Sequence, residues 1–295
     1  MSMRETWLAV ALAWRAGALW AAAPAGSAAV GMVDEPCPPP YVMPDGLRAV
    51  LKDLFIEPHA PGTADFRRLA TTAGFAEMEK TNRERAATDW PGLCRYRAAN
   101  TAMTPGSAKV VFIGDSITEN WLMADPGLFS GPVVNRGIGA QTSAQMLLRF
   151  RADVVALRPA VVHILAGTND VAGNNGPVSP RDFQNNMESM VEIAKANGIR
   201  VVIGSIPPAA AFSWQPAMRP APRIAALNAW LRDYATRKGL VYVDYHAALS
   251  GPGGELRSAL GNDGVHPNRD GYAVMRRLAE RAIADQRRAG PVRAD

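Results

Sequence analysis

Two cysteines and four histidines in 295 residues leave little material for a metal centre. No HExxH, no P-loop and no Cys/His cluster occurs, so the sequence points to neither a metal nor a nucleotide. The basic excess is small: 32 Lys and Arg stand against 27 Asp and Glu, a formal net charge of +5. It is not gathered into a long block, and Arg287, Arg288 and Arg293 read as a solvated tail. A nucleic-acid partner is not expected from this pattern. Beyond the first thirty residues no apolar stretch is long enough to cross a bilayer.

The first thirty residues differ from the rest. Arg4 precedes a mostly apolar run from Trp7 to Ala23, interrupted by Arg15, and Ala/Ser/Gly-rich sequence follows to Ala29. This reads as a signal peptide over residues 1–29, with cleavage between Ala23 and Ala29 and no stable membrane insertion after processing. The expected location is outside the cytoplasm, periplasmic or secreted. In an exported protein Cys37 and Cys94 can pair and staple an extension. Residues 30–105 read as a proline-rich linker, DEPCPPPYVMP, followed by a helical extension. Its stretch DGLRAVLKDLF spaces Leu47, Val50, Leu51 and Leu54 as one helix face. A main domain is expected over 106–288 and a tail over 289–295.

From Lys109 onward the pattern is regular. Short apolar runs recur at Val110–Ile113, Val133–Val134, Val161–Leu165, Val201–Ile203 and Leu240–Val243. They are rich in β-branched residues and bounded by Gly, Pro or Asn, as buried parallel strands are. Helical segments lie between them. One has Ser179 as N-cap, Pro180 at its first position, Asp182 three residues after the cap and Gly198 as terminator. Others run from about Arg223 to Lys238 and from about Asn268 to Arg287. This alternation predicts an α/β fold, a parallel sheet covered on both faces. Functional residues in such sheets gather in the loops at the strands' C-terminal ends.

At one of those ends the run VVFI empties into Gly114, Asp115 and Ser116. A serine nucleophile needs an adjacent base. His59 lies in the extension and His163 reads as a core residue, which leaves two acid–histidine pairs, Asp244/His246 and Asp263/His266. The second sits in a turn where a carboxylate three residues before the histidine can reach Nδ1 and leave Nε2 for a serine. Asn169, in LAGTND at the end of the third run, comes beside Ser116 if the first and third strands are neighbours. Its amide can donate to a developing oxyanion, although a turn asparagine is the plainer use. NRGIGAQ, after the second run, has the wrong spacing for a dinucleotide loop and reads as a tight turn presenting a backbone N–H.

Taken together, these segments resemble the SGNH/GDSL hydrolase family. GDS, NRGIGAQ, GTND and DGVHP match four of its blocks in the family's order, across residues 110–286. The GxSxG elbow of α/β-hydrolases is absent. The resemblance implies a flavodoxin-like three-layer sandwich on a five-stranded parallel sheet, with a mostly helical N-terminal extension. It also implies Ser116 as nucleophile, His266 as base and Asp263 as its orienting carboxylate. The oxyanion hole would combine the N–H groups of Ser116 and Ala140 with the Asn169 amide. Ala140 stands where the family usually has glycine; the N–H survives, and the open point is the loop's conformation if that glycine uses a positive φ. Asp115 is expected to support the loop by hydrogen bonds.

The function implied is hydrolysis of a carboxylic ester through an acyl-serine intermediate, with no cofactor and no metal. A thioesterase or acyltransferase would use the same site. A non-catalytic carbohydrate- or lipid-binding derivative would not need all of Ser116, Asp263, His266 and Asn169. The partner is a small-molecule or glycan ester. After the fourth run comes IPPAAAFSWQPAMRPAP, where Phe212, Trp214 and Met218 are candidates for lining a substrate pocket, with Trp121 as another wall. The absence of a long apolar lid favours short acyl groups such as acetyl, on a carbohydrate among other carriers.

Overall fold

A computed structural model describes residues 32–288; the expected signal segment and the C-terminal tail lie outside the described residues. Five strands form one parallel sheet: β1 (Val110–Gly114), β2 (Val133–Gly137), β3 (Val161–Leu165), β4 (Arg200–Gly204) and β5 (Val241–Val243). Their order is β2-β1-β3-β4-β5. The strand order reverses at β1, and a crevice opens at the C-terminal edge of a sheet wound this way. Gly114 is in register with Gly137 of β2 and Leu165 of β3, so the loops leaving these three strands emerge side by side.

Both faces of the sheet are covered, and that is why its strands read as continuous apolar runs rather than as alternating ones. Val111, Ile113, Val162, Ile164, Val201 and Ile203 enter one buried cluster. It is filled from α6 (Ser143–Asp153), α8 (Pro180–Ala196) and α9 (Ala221–Lys238) by Met146, Phe150, Met187, Met190, Leu227 and Leu231. The intervening residues Val110, Phe112, Val161 and Val202 enter the opposite cluster with Ile117 and Trp121 of α5 (Ser116–Ala124). Tyr272 and Met275 of α11 (Arg269–Arg288) complete it. Short helices α7 (Thr168–Ala172) and α10 (Tyr245–Leu249) follow β3 and β5. The expected caps of α8 are present: Ser179 and Asp182 satisfy each other's backbone N–H groups in a capping box.

The extension carries α1 (Asp45–Phe55), α2 (Arg68–Thr71), α3 (Phe75–Thr88) and α4 (Arg97–Thr101). Leu47, Leu54, Phe66, Leu69 and Phe75 give it a small core of its own. A core of that size stabilises a segment only weakly, and a covalent tie supplements it. Cys37 and Cys94 form a disulfide across 57 residues of chain.

Replacing both cysteines by serine should cost about 2–4 kcal/mol, the usual contribution of a bridge closing a loop of this order. Urea unfolding of the oxidised protein against the double variant measures it. An unchanged midpoint would mean that the bridge adds nothing to the folded state.

Candidate active site

The site is built on close approach. A Cβ added at Gly114 would lie 2.8 Å from the Leu165 carbonyl oxygen, and one at Gly137 would lie 2.2 Å from the Glu119 backbone nitrogen. Only glycine at these two strand ends lets the first turn of α5 sit directly on β1 and β2. Asp115 caps that turn: its Oδ1 accepts from the Ile117 N–H at 2.9 Å. Ser116 is the first helical residue. Its own N–H has no partner among the described residues, as expected of a first-turn donor. Behind the turn, the fully buried Arg149 of α6 donates to the Gly114 carbonyl at 3.0 Å and the Arg136 carbonyl at 2.8 Å. Asp153 offsets its charge at 2.8 Å. One buried cation thus holds the ends of β1 and β2 together.

Ser116 Oγ lies 2.9 Å from His266 Nε2, across 150 residues of chain. His266 Nδ1 lies 2.6 Å from Asp263 Oδ2. Asp263 Oδ1 in turn accepts from the backbone N–H groups of Val265 at 2.9 Å and His266 at 2.8 Å. With Nδ1 donating to Asp263, Nε2 is left to accept from the serine hydroxyl. Burial pushes the Asp263 carboxyl up, but the neighbouring His266 charge and the hydrogen bonds from His266 and Val265 outweigh it and hold the group below its ordinary value. Burial pushes the His266 imidazole down; the attraction of Asp263, with Asp115 adding to it, wins and raises it.

The remaining strand-end loops converge on the same edge. Ala140 adopts φ 62°, the left-handed region, so the loop keeps a conformation that suits glycine while carrying a methyl group. Its carbonyl accepts from Asn175 Nδ2 at 2.9 Å, and its N–H has no partner among the described residues. Asn169, on α7, donates from Nδ2 to Asp115 Oδ2 at 3.1 Å, which leaves its second amide hydrogen free. Asp115 is fully buried, and burial pushes it up to about 6 against the stabilising N–H of Ile117.

Asn174 has a place that sequence reasoning missed. Its Nδ2 donates to Asn169 Oδ1 at 2.5 Å, and its Oδ1 accepts from the indole N–H of Trp214 at 2.9 Å. Trp214, Asn174, Asn169 and Asp115 therefore form one chain of hydrogen bonds that fixes which way the Asn169 amide points. The only sequence signal for Asn174 is a second asparagine five residues after the first, which by itself marks a turn.

Two aromatic expectations are corrected. Trp121 is fully buried and packs edge-on against Phe112 with Tyr272 alongside, so it forms no wall of an open pocket. Its position on α5 faces the sheet. Phe212 is also fully buried and stacks at 5.0 Å beneath Trp214, so it supports that ring and lines nothing. Trp214 is half-buried and tied to Asn174. The competing pair is occupied elsewhere: Asp244 caps α10 through the Ala247 N–H at 2.9 Å, and His246 Nδ1 lies 3.2 Å from Ser250 Oγ. His163 is buried, stacks on Phe112 and meets the Tyr245 hydroxyl at 2.8 Å; burial pushes it down to about 3. A cavity of about 530 Å³ beside α7 is lined by Asp170, Val171, Met218, Arg219 and Arg223 among others. Neither Ser116 nor His266 lines it.

The GDSL-like lipase/acylhydrolase family profile matches residues 112–274, more than half of the chain and all of the strand-end loops described above. The chain belongs to this family. It is 30% identical to the esterase TesA of Pseudomonas aeruginosa over 199 residues, 64% of this chain and 88% of that one. Among solved structures, a candidate acylhydrolase from Bacteroides fragilis is 45% identical with a TM-score of 0.66, covering 68% of this chain and 99% of its own. An acetyl xylan esterase from Geobacillus stearothermophilus, solved as a tryptophan variant, is 25% identical with a TM-score of 0.50, covering 61% and 97%. This GDSL-family chain is an ester hydrolase.

The strained alanine is directly testable. Ala140→Gly should stabilise the protein by about 0.5–1 kcal/mol, the relief of left-handed strain less the extra freedom of the unfolded glycine. Esterase activity should be retained. A destabilised Ala140→Gly variant in denaturant unfolding would show that the methyl group packs favourably and outweighs the strain.

Proposed function

We propose that the protein hydrolyses a carboxylic ester through an acyl-serine intermediate, with Ser116 as nucleophile, His266 as general base and Asp263 as its orienting carboxylate. The observation that carries this reading is the aligned set Asp263–His266–Ser116, at 2.6 and 2.9 Å, beside unpaired N–H donors. Ser116 Oγ attacks the ester carbonyl carbon as its proton passes to His266 Nε2. Asp263 holds the imidazolium that forms and does not take its proton. The carbonyl oxygen becomes an oxyanion, stabilised by the N–H groups of Ser116 and Ala140 and by the free amide hydrogen of Asn169. His266 then returns the proton to the departing alkoxide, giving the alcohol and the acyl-serine. A water molecule, deprotonated by His266, repeats the sequence and releases the acid.

The reading extends to short acyl groups, acetyl on a carbohydrate in particular. The likeness to an acetyl xylan esterase supports this. So does the start of the segment after β4, which is packed against the domain. Residues 206–209 are buried, and both the N–H and the carbonyl of Ile206 are held by Asn228, at 2.8 and 2.9 Å. The Cys37–Cys94 bridge favours an oxidising compartment and so supports export after removal of residues 1–29. The same reading divides the remainder into the extension, 30–105, the hydrolase domain, 106–288, and a short tail.

Ser116→Ala and His266→Ala should each lower ester turnover by ~10⁴-fold or more, because members of such a triad act as a unit. His246→Ala should keep nearly all of it. Asn169→Ala should lower kcat by roughly 10²–10³-fold at similar KM, as removal of an oxyanion donor does. Asn174→Ala should also lower kcat, yet add no further loss in an Asn169→Ala background, since its effect passes through that amide. An active His266→Ala variant beside an inactive, folded His246→Ala variant would reverse the assignment.

The pH profile follows from the raised imidazole. His266 works as a base only when neutral, so kcat/KM should fall as the pH drops through its raised value. The acidic limb should therefore have its midpoint above the ordinary histidine value of 6.5. A midpoint well below 6.5 would mean that burial dominates over Asp263. On an ester panel graded by acyl length, acetyl esters should give the highest kcat/KM; a preference for long chains would remove the short-acyl reading.

A further inference from the structure

We propose that the N-terminal extension holds the catalytic base in place: Phe55 is a positioning residue for the His266 imidazole, and Asn262 ties the loop bearing Asp263 and His266 to the end of α1. This rests on the reading of His266 as the base. The family profile matches from residue 112, so Phe55 and the rest of the extension lie outside the residues it matches.

The His266 ring is held at both nitrogens, by Ser116 at Nε2 and Asp263 at Nδ1. Neither bond fixes the tilt of the plane. Phe55 supplies that restraint, meeting the ring edge-on at a centroid distance of 5.3 Å and an interplanar angle of 84°. Phe55 is itself buttressed by Phe66 of the extension at 5.1 Å.

Helix ends supply the second tie. The last carbonyls of a helix lack intrahelical partners and must find others. At the end of α1 the catalytic loop provides them. Asn262 Nδ2 donates to the Leu54 and Glu57 carbonyls, each at 2.8 Å, and the Arg269 N–H donates to the Ile56 carbonyl at 2.7 Å. Asn262 Oδ1 accepts from the His59 N–H at 3.4 Å. These bonds bracket Asp263 and His266 on both sides. Ordering such a loop costs conformational entropy, and the extension offsets part of that before substrate arrives.

The extension grips the opposite side of the site as well. Gln141 Nε2 donates to the Pro91 carbonyl at 2.8 Å and Gln145 Nε2 to the Trp90 carbonyl at 2.7 Å. Arg95 pairs with Glu119 at 2.7 Å, and Glu119 Oε2 accepts from the Gly139 N–H at 2.8 Å, next to Ala140. The disulfide joins Cys94, beside these contacts, to Cys37, on the approach to α1. One strap thus spans the loop of the base and the loop of the oxyanion donor.

The test uses the full-length oxidised protein carrying Phe55→Ala, Phe55→Leu, Asn262→Ala or His266→Ala, with folding checked by circular dichroism. Small misplacements at an active site cost up to ~10²-fold. Phe55→Ala and Asn262→Ala should accordingly lower kcat by roughly 10- to 10²-fold with KM little changed, and Phe55→Leu should recover part of the loss. The acidic limb should move as well. The groups facing His266 are Asp263 on its own loop, Asp115 and Ser116 on the turn after β1, with the Tyr272 hydroxyl of α11 near both carboxylates. None of these changes when Phe55 is cut back, whereas the imidazolium becomes better solvated. The limb in Phe55→Ala should therefore shift to higher pH, while the fall in kcat at unchanged KM and its partial recovery in Phe55→Leu separate positioning from simple packing. Should Phe55→Ala not fold, Phe55→Leu and Asn262→Ala carry the test. Folded variants with unchanged kcat and an unmoved acidic limb, whatever their stability, would overturn the proposal. A His266→Ala variant that still turned over ester would instead overturn the reading beneath it; a dead His266→Ala beside unaltered Phe55 and Asn262 variants would remove this inference alone.

Discussion

The contact between Ser116 Oγ and His266 Nε2 joins two loops 150 residues apart, and most of the structure serves to hold those two atoms at 2.9 Å. Serine is a weak nucleophile unless a base sits within hydrogen-bond reach. The serine side of that contact is set by steric necessity, because glycines at the ends of β1 and β2 let α5 seat its first turn on the sheet. The histidine side is set by a carboxylate that is fully engaged: both oxygens of Asp263 accept hydrogen bonds from its own loop. Neither side alone has chemistry; the fold makes the site by bringing the loops after β1, β2 and β3 to one edge and returning the chain to that edge before α11.

Charge is arranged around this contact in a graded way. Asp263 stays ionised below its usual range and keeps the imidazole basic, while Asp115, buried and pushed up to about 6, serves through hydrogen bonds. Asp115 links the capped turn of α5 to the Asn169 amide, and Asn174 and Trp214 continue the line to the segment after β4. The Asn169 amide, the proposed oxyanion donor, is therefore held from both ends. Ala140 shows a related constraint: the loop keeps a left-handed residue even with a methyl group on it.

Much of this was legible in the sequence because it rests on short-range chemistry. Apolar runs bounded by glycine, proline or asparagine located all five strands, Ser179 and Gly239 marked helix ends, and the four loop motifs named the residues that now converge. What sequence could not give was direction. Trp121 and Phe212 are aromatic residues near the site in sequence, yet one faces the sheet and the other lies under Trp214, and only packing decides that. Phe55 and Asn262 escaped notice for a different reason. Their partners lie more than two hundred residues away, and a phenylalanine at the end of an amphipathic helix reads simply as core.

The acyl-serine intermediate is the central claim, and a covalent probe addresses it directly. Full-length protein would be treated with an activated acetyl ester at low pH to slow deacylation, digested, and mapped by mass spectrometry. The account predicts one acetyl adduct, on the peptide carrying Ser116, formed in a burst and absent from Ser116→Ala. Continued turnover with no adduct, or an adduct on any other residue that survives in Ser116→Ala, would contradict it.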